Sequence, residues 1–83
     1  MPVPRLLIYS KPDCHLCDEA LEVLHRLQRE LDFELVELDI TADEELHRAY
    51  FDRIPVVRIE GGEELCEYFV REAVVRERLE SRR

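Results

Sequence analysis

Two short apolar runs enclose one amphipathic stretch near the start of the chain, and this arrangement limits the fold more than any other feature. RLLIY, Arg5 to Tyr9, has proline on either side, at Pro4 and Pro12, which suits a strand buried on both faces. From Leu16 the apolar residues Leu16, Ala20, Leu24, Leu27 and Leu31 recur in steps of four, four, three and four, while Asp18, Glu19, Glu22, Arg26 and Glu30 point elsewhere. That spacing predicts an amphipathic helix of about four turns, ended by Asp32. FELVELDI, Phe33 to Ile40, then reads as a second strand. A strand, a helix and a strand in this order form a βαβ unit with parallel strands and a right-handed crossover.

The rest of the chain extends this unit. Thr41 with Glu44 three residues on has the form of a capping box, so a short helix is expected to run to about Phe51 with Leu46, Ala49 and Tyr50 inward. Pro55 opens RIPVVRIEGGEELCEYF, in which Val56 to Ile59 and Glu64 to Tyr68 read as strands joined through Gly61 and Gly62, residues that tolerate the positive φ of a tight turn. Arg71 to Ser81, carrying Ala73, Val74 and Leu79, is expected to be a terminal helix. The order β-α-β-α-β-β-α predicts an α/β fold: a mixed four-stranded sheet with helices on both faces. With 83 residues and no repeat or linker, residues 1–83 are expected to form a single domain.

Charge narrows the partners. The net charge of −8 comes without a basic stripe, which disfavours phosphate backbones and anionic lipid, so neither nucleic acid nor membrane is an expected partner. The N-terminus lacks the apolar core of a signal peptide and no long apolar run occurs, so a cytoplasmic location is expected; the chain is also expected to be a monomer. In a reducing compartment a close cysteine pair is more often catalytic or metal-binding than a structural staple.

That pair is Cys14 and Cys17, in YSKPDCHLCDEAL. A metal site, inert burial and thiol exchange are all open to it. Zinc usually takes two close ligand pairs, yet Cys66 has no cysteine or histidine near it, and His25 and His47 lie on charged helical faces. A core role suits Cys66. Thiol exchange is favoured because the pair follows a strand and opens a helix, whose first turn has unpaired N–H groups and a positive dipole end that stabilise a thiolate. Cys14 gains most from this and is the expected nucleophile. Lys11, the sole lysine beside eleven arginines, and protonated His15 would help, with Asp13 opposing. Cys17, one turn on, is the expected resolving thiol. Tyr9 reads as a packing residue at the strand end.

From Leu6 to about Leu79 the chain resembles the glutaredoxins, and more closely the short bacterial glutaredoxin-like proteins of the thioredoxin superfamily. The resemblance is carried by Ser10-Lys11-Pro12-Asp13-Cys14-His15-Leu16-Cys17-Asp18 after the first strand, by Ile54-Pro55-Val56 before the third, and by the element order. It implies a thioredoxin-like fold and a thiol-disulfide oxidoreductase that reduces small-molecule or protein disulfides, with no bound cofactor and with glutathione or a thioredoxin-type thiol as electron donor. It also implies a cis bond at Ile54-Pro55, whose backbone would hold an extended thiol substrate beside Cys14, so Lys11, His15, Ile54 and Pro55 are the expected substrate-binding residues. Two departures stand out. His15-Leu16 replaces the Pro-Tyr usual between the cysteines, and Leu65-Cys66-Glu67-Tyr68-Phe69-Val70 lacks the glycine pair, followed by an acidic residue, that marks the glutathione carboxylate site in the family. Glutathione is therefore expected to bind weakly. The other function classes open to the same fold are a redox-inert peptide- or thiol-binding module and a metal or iron–sulfur protein, including two chains sharing a cluster through Cys14.

Overall fold

The computed structural model describes residues 3–81. Its elements are β1 (Arg5–Ser10), α1 (His15–Gln28), β2 (Glu34–Asp39), a single 3₁₀ turn (Ile40–Ala42), α2 (Glu44–Tyr50), β3 (Val56–Ile59), β4 (Glu64–Glu67) and α3 (Glu72–Ser81). The sheet order is β2-β1-β3-β4. β1 runs parallel to β2, with Leu6 opposite Leu35 and Tyr9 opposite Leu38. β3 runs antiparallel to both β1 and β4. The βαβ unit and the mixed sheet agree with the pattern in the sequence.

Alternation along β1 and β3 divides the core into two. Leu6 and Ile8 of β1, with Val57 and Ile59 of β3, pack against Ala20, Leu24 and Leu27 of α1 and Val75 and Leu79 of α3. The intervening Tyr9 and Val56 join Ile40, Ile54 and Cys17 in a second cluster, against which Leu7, Leu38, Cys14 and α2's Leu46 and Tyr50 lie. Successive strand side chains point to opposite faces, so α1 and α3 cover one face and α2 the other. Two ion pairs link α1 and its following turn to α3: Arg26 to Glu72 at 2.6 Å and Arg76 to Glu30 at 2.7 Å. Both are largely exposed and contribute little individually.

Local details differ from the sequence pattern in five places. α1 ends at Gln28, before Asp32, and the chain turns with Leu31 still buried and its N–H donating to the Leu27 carbonyl at 2.8 Å. Thr41 does not cap α2, because the 3₁₀ turn intervenes. Asp43 is the cap, its carboxylate accepting the N–H groups of Glu45 and Leu46 at 2.8 and 3.1 Å, while the Thr41 hydroxyl donates to Asp39 at 2.6 Å. Ala49 is exposed rather than inward. α3 starts at Glu72, which turns Val75 and Leu79, four apart, to the core. At the hairpin only Gly61 has positive φ, 77°. Gly62 instead closes the turn by donating its N–H to the Ile59 carbonyl at 2.8 Å. Asp43→Ala is expected to destabilise the fold by about 1 kcal/mol and to speed hydrogen exchange at the Glu45 and Leu46 amides. Thr41→Ala should leave those two amides unchanged, and equal exchange in both variants would place the cap elsewhere.

Candidate active site

Cys14 is itself the N-cap of α1. Its backbone is extended, with φ −105° and ψ 107°. Its Sγ accepts the Cys17 N–H at 3.2 Å, and its carbonyl accepts the Asp18 N–H at 3.0 Å. A cap is usually a Ser, Thr, Asp or Asn oxygen accepting an otherwise free amide of the first turn. Here sulfur occupies that position, at the positive end of the helix dipole. Asp13, just before it, has φ 60°, a left-handed conformation that aspartate tolerates better than most residues. It turns the chain out of β1 and into α1.

Cys17 lies one turn on and is 1% exposed, whereas Cys14 is half-buried. The two are joined by a disulfide with Cα atoms 5.2 Å apart, within the range such bonds span. Ile54, before β3, shares the apolar cluster of Cys17, Cys14 and Tyr9. The Ile54–Pro55 bond is cis and Pro55 is fully buried. The end of β1, the start of α1 and the loop before β3 therefore converge. Of the six residues singled out from the sequence, Cys14, Cys17, Ile54 and Pro55 lie in or next to this convergence. Lys11 and His15 stay on the surface. His15 is 89% exposed on its side chain, and its Nε2 lies 4.0 Å from Glu19, too loose and too wet to fix either group.

Two parts of the site had no clear signal in the sequence. The first is Tyr68, which has φ 68° although it is neither glycine nor asparagine. Its N–H donates to the Pro55 carbonyl at 2.8 Å and its hydroxyl to the Asp52 carbonyl at 2.8 Å. Both ends of one residue thus hold the loop that carries Pro55. An αL conformation costs a bulky residue roughly 1–2 kcal/mol, which these two bonds offset. The second is a stack of Tyr9 on Tyr50, ring centroids 4.2 Å apart, with the Arg53 guanidinium 5.1 Å above Tyr50. Burial first, then the neighbouring Tyr50, pushes the Tyr9 phenol above its usual range.

Arg53 is fixed in turn by Glu64, through paired hydrogen bonds of 2.9 and 3.0 Å, and by Glu67 at 3.2 Å. The bond from Arg53 holds the Glu64 carboxyl below its ordinary value of 4.5, against the opposing effect of burial. A carboxyl depressed by folding contributes stability that is present above its unfolded pKa and lost as pH falls through the folded one. Acid should therefore weaken the fold below about pH 4.5. Glu64→Gln should flatten that part of a melting-temperature profile against pH. A variant profile parallel to the parent's would show that the pair does not matter. Cys66 is also buried; burial raises its thiol pKa and outweighs the lowering by the Arg71 N–H, which donates to its sulfur at 3.3 Å. Among the described residues no group of three or more His, Cys, Asp or Glu could hold a metal ion, and no helix is long and apolar enough to cross a membrane.

A parallel βαβ start, an antiparallel β-hairpin beside it, and a helix capped by the first cysteine of a CxxC pair define the thioredoxin-like class. Residues 5–80 match the glutaredoxin-like domain (DUF836), and the chain belongs to that family. Protein Ne2328 from Nitrosomonas europaea, solved by solution NMR, is similar at 36% identity with a TM-score of 0.84, over 95% of this chain and 94% of that one. Protein XcR50 from X. campestris, solved by X-ray diffraction, is similar at 32% identity with a TM-score of 0.75, over 92% and 96%. A malarial protein of 18% identity shares the fold, with a TM-score of 0.68 over 93% of this chain and 98% of that one. No curated protein matches the chain. Family and CxxC geometry together describe a thiol redox module.

Proposed function

We propose that the chain is a thiol-disulfide oxidoreductase in which Cys14 is the nucleophile and Cys17 the resolving thiol. The observation that carries this reading is the sulfur of Cys14 standing as the cap of α1, half-exposed and hydrogen-bonded by the Cys17 amide, above a fully buried Cys17. Reduced Cys14, as thiolate, attacks one sulfur of a substrate disulfide. The substrate S–S bond breaks, a Cys14–substrate disulfide forms, and the other half leaves as a thiolate that takes up a proton. Cys17 then loses its proton and attacks the Cys14 sulfur. This releases the second thiol and leaves the Cys14–Cys17 disulfide, so two electrons have passed to the substrate. An external thiol, a thioredoxin-type dithiol or glutathione, returns them.

Substrate placement follows from the same geometry. Among the described residues Ile54 has no backbone partner outside the helices and strands, so its N–H and C=O are assigned to an extended substrate segment, with buried Pro55 fixing the loop. Lys11 and His15, both exposed near the start of α1, are assigned an electrostatic part in holding Cys14 and the leaving thiol as anions. The test is alkylation of the fully reduced protein against pH, read site by site by mass spectrometry. Cys14 is expected to react first and below the pH of an ordinary thiol, with buried Cys17 and Cys66 lagging. A Cys14 that titrates as a free thiol while Cys17 reacts first would overturn the assignment.

Glutathione is expected to be a poor donor. The corner before α3, Tyr68-Phe69-Val70-Arg71, lacks the glycine pair of the resembled glutathione site and leaves only the exposed Arg71 to meet a carboxylate; one lost charge-assisted contact costs about one to two orders of magnitude in affinity. Steady-state reduction of a glutathione mixed disulfide should therefore fail to saturate at low glutathione. Saturation there would return the chain to ordinary glutathione use.

A further inference from the structure

A groove of about 240 Å³ runs beside the cysteine pair, lined by Leu16, Glu19, Ala20, Val23, Tyr68, Phe69 and Val70. Phe69 is 67% exposed and Tyr68 42%, two of the four large apolar side chains the described surface leaves open. Phe69 contributes nothing to either core cluster. Leu16 lies between Cys14 and Cys17 in the chain, so one lining residue of the groove is a direct neighbour of the cysteine pair. Glu19 lines the groove, Asp18 and Glu22 are exposed close to it along α1, and Arg71 follows Val70.

We propose that this groove holds the segment flanking the reactive cysteine of a protein disulfide, seating a large apolar side chain against Leu16, Val23 and Phe69 and a Lys or Arg against Glu19. The inference rests on the redox reading above and names its substrate class. An apolar wall beside the nucleophile favours a peptide over a small polar thiol, because burying a large apolar side chain there removes both its own surface and that of Phe69 from water. The carboxylates select among peptides: a basic neighbour is attracted and an acidic one repelled. A tripeptide thiol carrying two carboxylates meets the repulsion and cannot use the wall.

The experiment uses pre-reduced full-length protein in single-turnover reactions, so no donor has to be assumed. Three disulfides are compared: bis(2-hydroxyethyl) disulfide, a peptide disulfide with Leu and Arg flanking the cysteine, and the same peptide with Ser and Glu in their place. Each rate constant is divided by that of dithiothreitol with the same disulfide, which removes intrinsic reactivity. The Leu/Arg peptide is expected to exceed the Ser/Glu peptide by about tenfold or more. Phe69→Ser should remove most of that preference and Glu19→Gln about threefold of it, whereas Phe51→Ser, an exposed apolar change on α2's far end, should leave it intact. Equal peptide rates alongside reduction of bis(2-hydroxyethyl) disulfide would overturn the groove and leave the redox reading standing. A preference that survives Phe69→Ser would likewise overturn it. Failure to reduce any of the three would overturn both.

Discussion

Cys14→Ser is expected to abolish disulfide reduction, by at least about a thousandfold, because a serine hydroxyl stays protonated at neutral pH and cannot replace a thiolate as attacking group. Cys17→Ser should behave differently. Its Cys14 keeps the cap position, since the bond it accepts comes from the residue 17 backbone N–H rather than from the cysteine side chain. The first exchange therefore proceeds and the second has no thiol to carry it. The product expected by intact mass is protein plus one substrate half, stable until an outside thiol is added. If Cys14→Ser instead forms the trapped adduct and Cys17→Ser does not, the two roles are reversed. The serine replacements are small and isosteric, so circular dichroism of both variants should match the parent, and a lost fold would be seen separately from lost chemistry.

The largest expected effect on stability is at Leu24. It is fully buried on α1, between β1's Leu6 and Ile8 and the helix that closes the chain, α3. Leu→Ala at such a site loses transfer free energy and leaves a cavity that the neighbouring strands cannot fill without breaking the sheet register. The cost is about 2–5 kcal/mol, or roughly 10–25 °C in melting temperature for a domain of this size. Leu46→Ala, on half-buried α2, should cost clearly less, because water already reaches that side chain. Equal losses at the two positions in calorimetric melts would mean that the two clusters do not differ in packing as their burial implies.

Both effects trace to features that the sequence expresses by spacing. Leu24 belongs to a four-four-three-four apolar series, and Cys14 stands where a strand pattern gives way to a helical one. Such signals are local and repeat, so they survive small errors at element ends. What could not be read depends on backbone states or distant meetings. Thr41-x-x-Glu44 has the form of a cap, but Asp43 is equally good chemistry for that role, and the 3₁₀ turn between them decides the matter. Of the apolar residues of α3, Val75 and Leu79, four apart, meet the sheet while Ala73 is exposed, a choice that the short apolar pattern there did not express. No propensity would place Tyr68 at positive φ, since its bonds to the Pro55 and Asp52 carbonyls hold it there. The groove is assembled from residues some fifty positions apart, brought together only when the β3–β4 hairpin folds back beside α1. Leu16 opens the apolar series of α1 but is only half-buried, and Phe69 carries no periodic signal of that encounter.

The aromatic residues around the Pro55 loop also have an optical consequence. The chain has no tryptophan and three tyrosines. Tyr9 and Tyr50 are stacked in the cluster that includes Cys14 and Cys17, and Tyr68 is bonded to the loop through Asp52 and Pro55. All of the protein's ultraviolet emission above the phenylalanine region therefore originates around one small volume. A disulfide is an efficient quencher of a nearby excited phenol, so the oxidised protein should be dim and the reduced one bright. Tyrosine emission is therefore expected to rise when dithiothreitol reduces the Cys14–Cys17 bond, and unchanged emission on reduction would refute this.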